Sequence, residues 1–203
     1  MSRIIGCQSL YFAEVTKDDS EESTFGTPFA VPSLTSIEIK DNADSVTFYS
    51  DDTTEQVIPT FSGKEVTIEL GYISNELEAK LTGQTYKNGV LVQKANFVSK
   101  EYAMMFKAPK SKGGYQYVVL YKGAIARSES AYKSKEDSIE GQTVTLTGTF
   151  MPLLSNNLVG AKADDSDSDN TELITNWFKK VPVPTDVSRL SVETNPVKET
   201  VKK

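Results

Sequence analysis

Carboxylates are the only side chains in this sequence that recur at spacings suggestive of chemistry. Asp165, Asp167 and Asp169 alternate, as in the first half of a calcium-binding loop, where acidic groups surround a hard cation. The rest of that pattern is missing. Asn170 stands where a glycine must turn the chain, and Asn176 where a bidentate glutamate would close the site. The stretch therefore reads as a solvated acidic loop. Asp18/Asp19 and Asp51/Asp52 are adjacent pairs in polar surroundings, which is turn composition with solvent-facing charge, not an acid–base pair. Tyr115, Tyr117 and Tyr121 could form a stacking platform for a sugar. As alternate residues of one strand they read instead as core and interface aromatics. Histidine is absent, which removes the commonest general base and metal ligand. Cys7 is the sole cysteine, so neither an intrachain disulfide nor a cysteine zinc site can form. No G-x-G-x-x-G or Walker sequence occurs. The expectation is a non-enzyme without metal or cofactor.

The composition limits the partners. A formal charge of −6 over 203 residues argues against a sequence-reading nucleic-acid binder, though not against a protein that DNA merely passes. Arg3 is followed only by Ile4 and Ile5 before Gly6, so no secretion signal is read and synthesis in a cytoplasm is expected. The longest apolar run, Tyr117 to Tyr121, is too short to span a bilayer.

The elements that organise the chain lie between Tyr115 and Phe150. From Thr143 to Phe150, threonines alternate with Val144, Leu146, Gly148 and Phe150, which predicts a strand with one face on a core and one on water. From Gly114 to Gly123 both faces are apolar, with Tyr115, Tyr117, Val119 and Tyr121 on one side and Val118 and Leu120 on the other. Such a strand belongs in the middle of a sheet. Gly123 and Gly148 inside these strands mark a bulge or a close backbone approach. Residues 128–139 read as a polar surface connection.

Further strands are expected at Leu10–Val15, Leu34–Lys40, Glu65–Leu70, Val90–Val92 and Tyr102–Phe106, with Asn88-Gly89 as a tight hairpin turn. The acidic patch of Asp18, Asp19, Glu21 and Glu22 reads as a solvated loop. Residues 41–63 read as an ordered, extended hairpin arm. Phe48, Tyr49, Val57 and Ile58 are more apolar than a loop needs, and Asp51-Asp52 turns the chain. Ser74 or Asn75 caps a short helix, Asn75 with Glu78 resembling a capping box; Leu77 and Leu81 share a face, and Gly83 stops it. In Glu65–Leu70, Val66, Ile68 and Leu70 point to the core under that helix, leaving Glu65, Thr67 and Glu69 on the opposite face. A second helix is expected over 171–181, capped by Asp169, with Ile174, Trp177, Phe178 and Val181 as its stripe. Residues 182–203 read as a flexible tail, which leaves one domain over 1–181. The fold class is mainly β: a β-sandwich or split barrel with one short flanking helix and a second helix near the C-terminus.

Several blocks, in order, resemble a known family. They are Leu77-Glu78-Ala79-Lys80-Leu81-Thr82-Gly83 followed by Lys87-Asn88-Gly89-Val90-Leu91-Val92, then Tyr117 to Gly123, Tyr132 to Asp137, and Gln142 to Phe150. Phe48-Tyr49-Ser50-Asp51-Asp52 is similar to that family's aromatic-x-Asp-Asp turn. Together they resemble the major tail tube proteins of long-tailed, non-contractile bacteriophages. The likeness covers most of Leu10 to Phe150 and thins beyond, where the Trp177-Phe178 helix is similar to one that often closes such proteins. The resemblance implies a structural virion protein, assembled in a bacterial cytoplasm into hexameric rings that stack as a hollow tube. It implies as partners other copies of the chain, a tape-measure protein, tail terminator and distal tail proteins, and DNA in non-specific transit. On that reading the arm, with Phe48, Tyr49, Asp51, Asp52, Val57 and Ile58, joins subunits or rings, and Glu65, Thr67 and Glu69 face the lumen. The alternative is another tail component or an adhesin-like, carbohydrate-binding β-sandwich module.

Overall fold

The structure, a computed structural model, describes residues 2–50, 53–130, 143–166 and 171–183, and within these all side chains except those of 44–50, 53–59 and 128–130. Among the described residues, eleven strands and two short helices follow one another. First come β1 (Gln8–Asp18), β2 (Ser23–Phe25), β3 (Phe29–Val31), β4 (Leu34–Ser50) and β5 (Thr53–Leu70). Next are α1 (Asn75–Thr82), β6 (Thr85–Lys87), β7 (Val90–Val92), β8 (Glu101–Pro109) and β9 (Tyr115–Ser130). The chain closes with β10 (Val144–Met151), β11 (Gly160–Asp164) and α2 (Thr171–Asn176).

Nine of the strands form one antiparallel sheet in the order β2-β1-β8-β9-β10-β5-β4, with β3 beside β1 and β11 beside β9, while β6 and β7 pair separately. The fold is mainly β, as the alternation of the sequence requires, and the sheet does not close into a barrel. It curls instead. The thiol of Cys7, just before β1, donates to the carbonyl of Thr35 at the start of β4 (3.7 Å), and the Gly71 N–H reaches the Ser33 carbonyl at 2.8 Å.

β9 is the central strand, and each of its faces has its own cover. Val118 and Leu120 join Leu10, Phe12, Ile68 and Phe150 in one cluster, which α1 closes with Leu81 and Leu77. Val119 and Tyr121 join Ala13 and Met105 in a second cluster, closed by Leu153, Trp177 and Val181. A bulge changes the phase of β9 between the two halves. Met104 pairs with Leu120 and Tyr102 with Gly123, so Tyr121 and Lys122 together oppose Ala103. After this extra residue Ile125, and not Ala124, enters the first cluster.

The expected bulge and close approach at the strand glycines are both present. Gly123 lies directly across from Phe150, and a Cβ there would stand 2.6 Å from the Phe150 ring. At Gly148 a Cβ would stand 2.6 Å from Cδ1 of Ile125. The Asn88-Gly89 turn forms with φ of 53° and 80°, the left-handed pair that joins β6 to β7. Of the two possible caps on α1, Ser74 is the one used, its hydroxyl accepting from the Leu77 N–H at 3.3 Å, and Gly83 ends the helix at φ 73°. Glu78 is not part of a capping box. It is buried and receives Nη1 of Arg127 on both oxygens, at 2.7 and 2.8 Å, which pins α1 to β9.

Three expectations change, and one strand is new. The second helix is shorter than 171–181: α2 ends at Asn176, and Trp177 to Lys180 continue as turns, although Ile174, Trp177, Phe178 and Val181 pack as the stripe predicts. Its expected cap, Asp169, lies outside the described residues. The tail does not begin at 182, because Pro182 is buried, its carbonyl accepts from the Tyr121 hydroxyl (3.0 Å), and Val183 packs on the second cluster. β9 runs on to Ser130, where a surface connection is expected from 128. β11 has no clear alternation, because its register along β9 and not its own pattern holds it in the sheet.

Gly123→Ala should destabilise the protein by about 1–3 kcal/mol, because the added methyl must displace a fully buried ring in a packed core. Urea unfolding checks this, and pairing the substitution with Phe150→Leu should recover part of the loss.

Candidate functional site

Among the described residues, the second cluster covers the sheet's second face along β1, β8, β11 and the first half of β9. Across β4, β5 and β10 the residues opposite the core stand side by side. Ser36 pairs with Glu69, Glu38 with Thr67 and Lys40 with Glu65. On the other side of β5, Thr145, Thr147 and Thr149 pair with Glu69, Thr67 and Glu65. Ala124 and Ala126 of β9 complete the surface. The sequence-predicted residues Glu65, Thr67 and Glu69 are thus brought together on the face away from Val66, Ile68 and Leu70, all three of which are fully buried. Their neighbours Ser36, Glu38 and the β10 threonines belong to the same face. The alternation of β4 and β10 carried that signal, but strand order was needed to join them.

Glu69 is half-buried and accepts from the Ser36 hydroxyl at 2.8 Å, whereas Glu65 is exposed. Lys40 lies 3.5 Å from Glu38, both largely in solvent, so this pair is screened. Three carboxylates and one ammonium among hydroxyls make a smooth, weakly negative surface that repels phosphate and holds nothing tightly.

Beside this face the arm begins. β5 pairs with β10 only from Lys64 to Leu70. Beyond Gly63 the strand pairing among the described residues is of β4 and β5 with each other, out to Ser50 opposite Thr53. The departure is marked by a bulge: Asn42 opposes Gly63 and Ala43 opposes Phe61, while the Ser62 hydroxyl ties back to the Asn42 carbonyl at 3.0 Å. A Cβ at Gly63, whose φ is 128°, would stand 2.6 Å from the Phe150 carbonyl oxygen. From Ala43 to Ser50 the ribbon extends roughly 25 Å. Phe48, Tyr49, Val57 and Ile58 hold positions along it, Val46 opposite Ile58 and Phe48 opposite Gln56. Their side chains, and Asp51 and Asp52 altogether, lie outside the described residues. The strands expected at Leu34–Lys40 and Glu65–Leu70 are continuous with this arm.

No family model matches the chain, and no curated protein matches its sequence.

The remaining candidates are built into the body. Tyr117 packs against Trp177 and Phe178 at ring-centroid distances of 5.6 and 6.1 Å, and Tyr121 is fully buried, so two of the three tyrosines lie beneath the C-terminal segment. Tyr115 stacks edge-on to Tyr117 under the Lys107 ammonium. Asp165 accepts from the Tyr115 N–H, and Lys110 lies 2.7 Å from Asp164, so both carboxylates serve the turn between β8 and β9. Asp167 and Asp169 lie outside the described residues.

Asp18 departs from its expected place in a solvated loop. Its side chain is only 4% exposed, 2.8 Å from Lys122, and it accepts from the Ser23 hydroxyl at 2.7 Å and the Leu154 N–H at 3.1 Å. Burial pushes the Asp18 carboxyl up, but Lys122, Ser23 and Leu154 outweigh it and hold the group below the usual carboxylate value. Lys122 is correspondingly raised, chiefly by Asp18. Asp19 remains on the surface, where the Glu22 N–H, Lys17 and the Glu21 N–H lower it to about 2.

A depressed carboxyl stabilises the fold above its unfolded value of 3.8, and that stability is lost as pH falls through the lower folded value. Asp18→Asn should therefore flatten the acid limb of the stability curve below about pH 4. At neutral pH it should cost roughly 2 kcal/mol, because Lys122 loses its buried partner. Thermal or urea unfolding across that range checks both effects.

Proposed function

We propose that this chain is a structural protein, not an enzyme, which polymerises into hexameric rings stacked as the tail tube of a long-tailed, non-contractile bacteriophage. The observation that carries the reading is the β4–β5 ribbon. A two-stranded ribbon is at best marginally stable in water, yet this one stays paired for about eight residues past the last pairing with the body, through a second register shift between Phe48 and Tyr49. A ribbon of that kind, with Val46, Phe48, Tyr49, Val57 and Ile58 in its sequence, is stabilised by a partner.

Two further features support it. β4 is the margin of the sheet, so its outer backbone groups are available to a neighbouring copy. The hydroxyl and carboxylate face of β4, β5 and β10 suits the wall of a channel through which DNA moves without being held. In this reading Glu65, Thr67 and Glu69 line the lumen, a tape-measure protein occupies it during assembly, and terminator and distal proteins close its ends. The glycan-binding alternative gains no support from Tyr117 and Tyr121, which are covered by the chain's own Trp177 and Phe178 or buried outright.

Electron microscopy of the purified protein tests the proposal: rings or hollow tubes are expected, and a monomer at every concentration and salt condition would sink it. Replacing Phe48 and Tyr49 by Ser should leave a folded protein that forms no tubes. Glu65→Lys with Glu69→Lys should permit assembly but slow DNA ejection, most visibly at low salt, since a channel wall turned positive holds phosphate. Unchanged ejection kinetics would place these residues outside the lumen.

A further inference from the structure

A second ribbon in the molecule shares the arm's deficiency. Among the described residues β6 and β7 pair with each other alone, and although α1 lies beside them and Leu91 is half-buried, they keep apolar side chains exposed on both faces. Val90 and Val92, 58% and 41% exposed, lie on one face, and Tyr86, 41% exposed, on the other. The segment that follows adds Phe97 and Val98, 47% and 83% exposed. This surface is nonetheless held in place. The Lys94 N–H donates to Oε1 of Gln84 at 2.9 Å, and Gly83 lies so close to the Val98 carbonyl that no side chain would fit. A positioned, uncovered apolar patch is the signature of a contact surface.

Its own arm cannot cover it. The arm leaves the body at Gly63 and the helix leading to β6 leaves after Leu70, the opposite end of the same stretch of β5, roughly 20 Å away. The arm also continues β5 away from that end. The two surfaces match in chemistry as well as in apolar content. Between Asn42 and Gly63 the sequence has Asp44, Asp51, Asp52 and Glu55 and no lysine or arginine. From Thr85 to Ser99 it has Lys87 and Lys94 and no acidic residue, while Lys80 and Lys100 on either side are turned to Phe29 and Glu14 of the body.

We propose that the arm of one copy docks on the β6–β7 ribbon and the 93–98 segment of the next copy. This deepens the tail-tube reading and rests on it for where the contact falls, between successive rings. Because the two ribbons are different and leave opposite ends of the paired stretch of β5, the contact is head to tail and propagates instead of closing on a pair. Acidic arm against basic ribbon sets the polarity of addition, since arm against arm repels.

Two variants test this. Val90→Ser with Val92→Ser alters only exposed side chains, and Phe48→Ser with Tyr49→Ser alters the arm. Unchanged far-UV circular dichroism and melting show that each is folded. Each alone should need a concentration higher by roughly tenfold or more to assemble. Mixed in equal amounts they share one intact junction, so sedimentation should show species limited to one stacking step. Lys87→Glu with Lys94→Glu should weaken assembly of the otherwise native chain, most strongly at low salt. Hydrogen exchange on the native chain, needing no variant, should show residues 85–98 protected in the assembled and not in the dissociated state. Normal tubes from the Val90/Val92 variant, or no protection of 85–98, would overturn the contact and leave the tube reading standing. Solid filaments built through this junction would support the contact and overturn the tube. A native chain that never assembles overturns both.

Discussion

Burial of β9 on both faces is the constraint from which most of the molecule follows. A strand with Val118 and Leu120 on one side and Val119 and Tyr121 on the other must be covered twice. The first cover is α1 with the curl of the sheet itself. The second is the C-terminal segment, brought across by β11, which lies along the first half of β9. The bulge at Tyr121 and Lys122 ends this doubly apolar stretch. Past it the second face carries Ala124 and Ala126, then the threonines of β10 and the glutamates of β5, and nothing there needs burying. The open polar face is therefore a consequence of where the apolar pattern of β9 stops.

Two charge pairs fix the covers in position. Glu78 and Arg127 join α1 to the far end of β9, and Asp18 and Lys122 join the end of β1 and the Leu153–Ser155 turn to the bulge. Taking such charges out of water costs about as much as their attraction returns, so their principal effect is on which arrangement forms. A helix of eight residues and a C-terminal segment with only six helical residues have little intrinsic tendency to form alone, and either would slide on a purely apolar surface. A buried carboxylate with one available cation tolerates one register only.

The body is thus complete within one chain, while the β4–β5 ribbon and the β6–β7 ribbon are not. Both are paired strands whose backbone is satisfied along one edge, and in the β6–β7 ribbon Tyr86, Val90 and Val92 stand exposed. A two-stranded ribbon without a face to pack on gains little to offset the ordering of its residues.

The sequence by itself determined the elements whose pattern is local. Alternation located the body halves of β4 and β5 and all of β10, a short apolar run located β8, and the doubly apolar run identified β9 as central. Asn88-Gly89 formed its hairpin, Gly83 ended its helix, and Gly123 and Gly148 met the close neighbours that glycine in a strand implies. Glu65, Thr67 and Glu69 faced away from the core because period two admits no other placement once Val66, Ile68 and Leu70 are inside. Only the tertiary structure decided what depends on distant partners. Asp18 looked like loop charge until Lys122, far along the chain, was folded against it. Gly160–Asp164 shows no strand pattern, yet becomes β11 because β9 offers a free edge there. Asp165, the first of the alternating aspartates, was taken by the Tyr115 N–H, and its neighbour Asp164 by Lys110. The physical reason is the same in each case. Periodicity and turn chemistry are encoded within a few residues, whereas the partner of a charge or of a strand edge is set by the order in which the strands assemble.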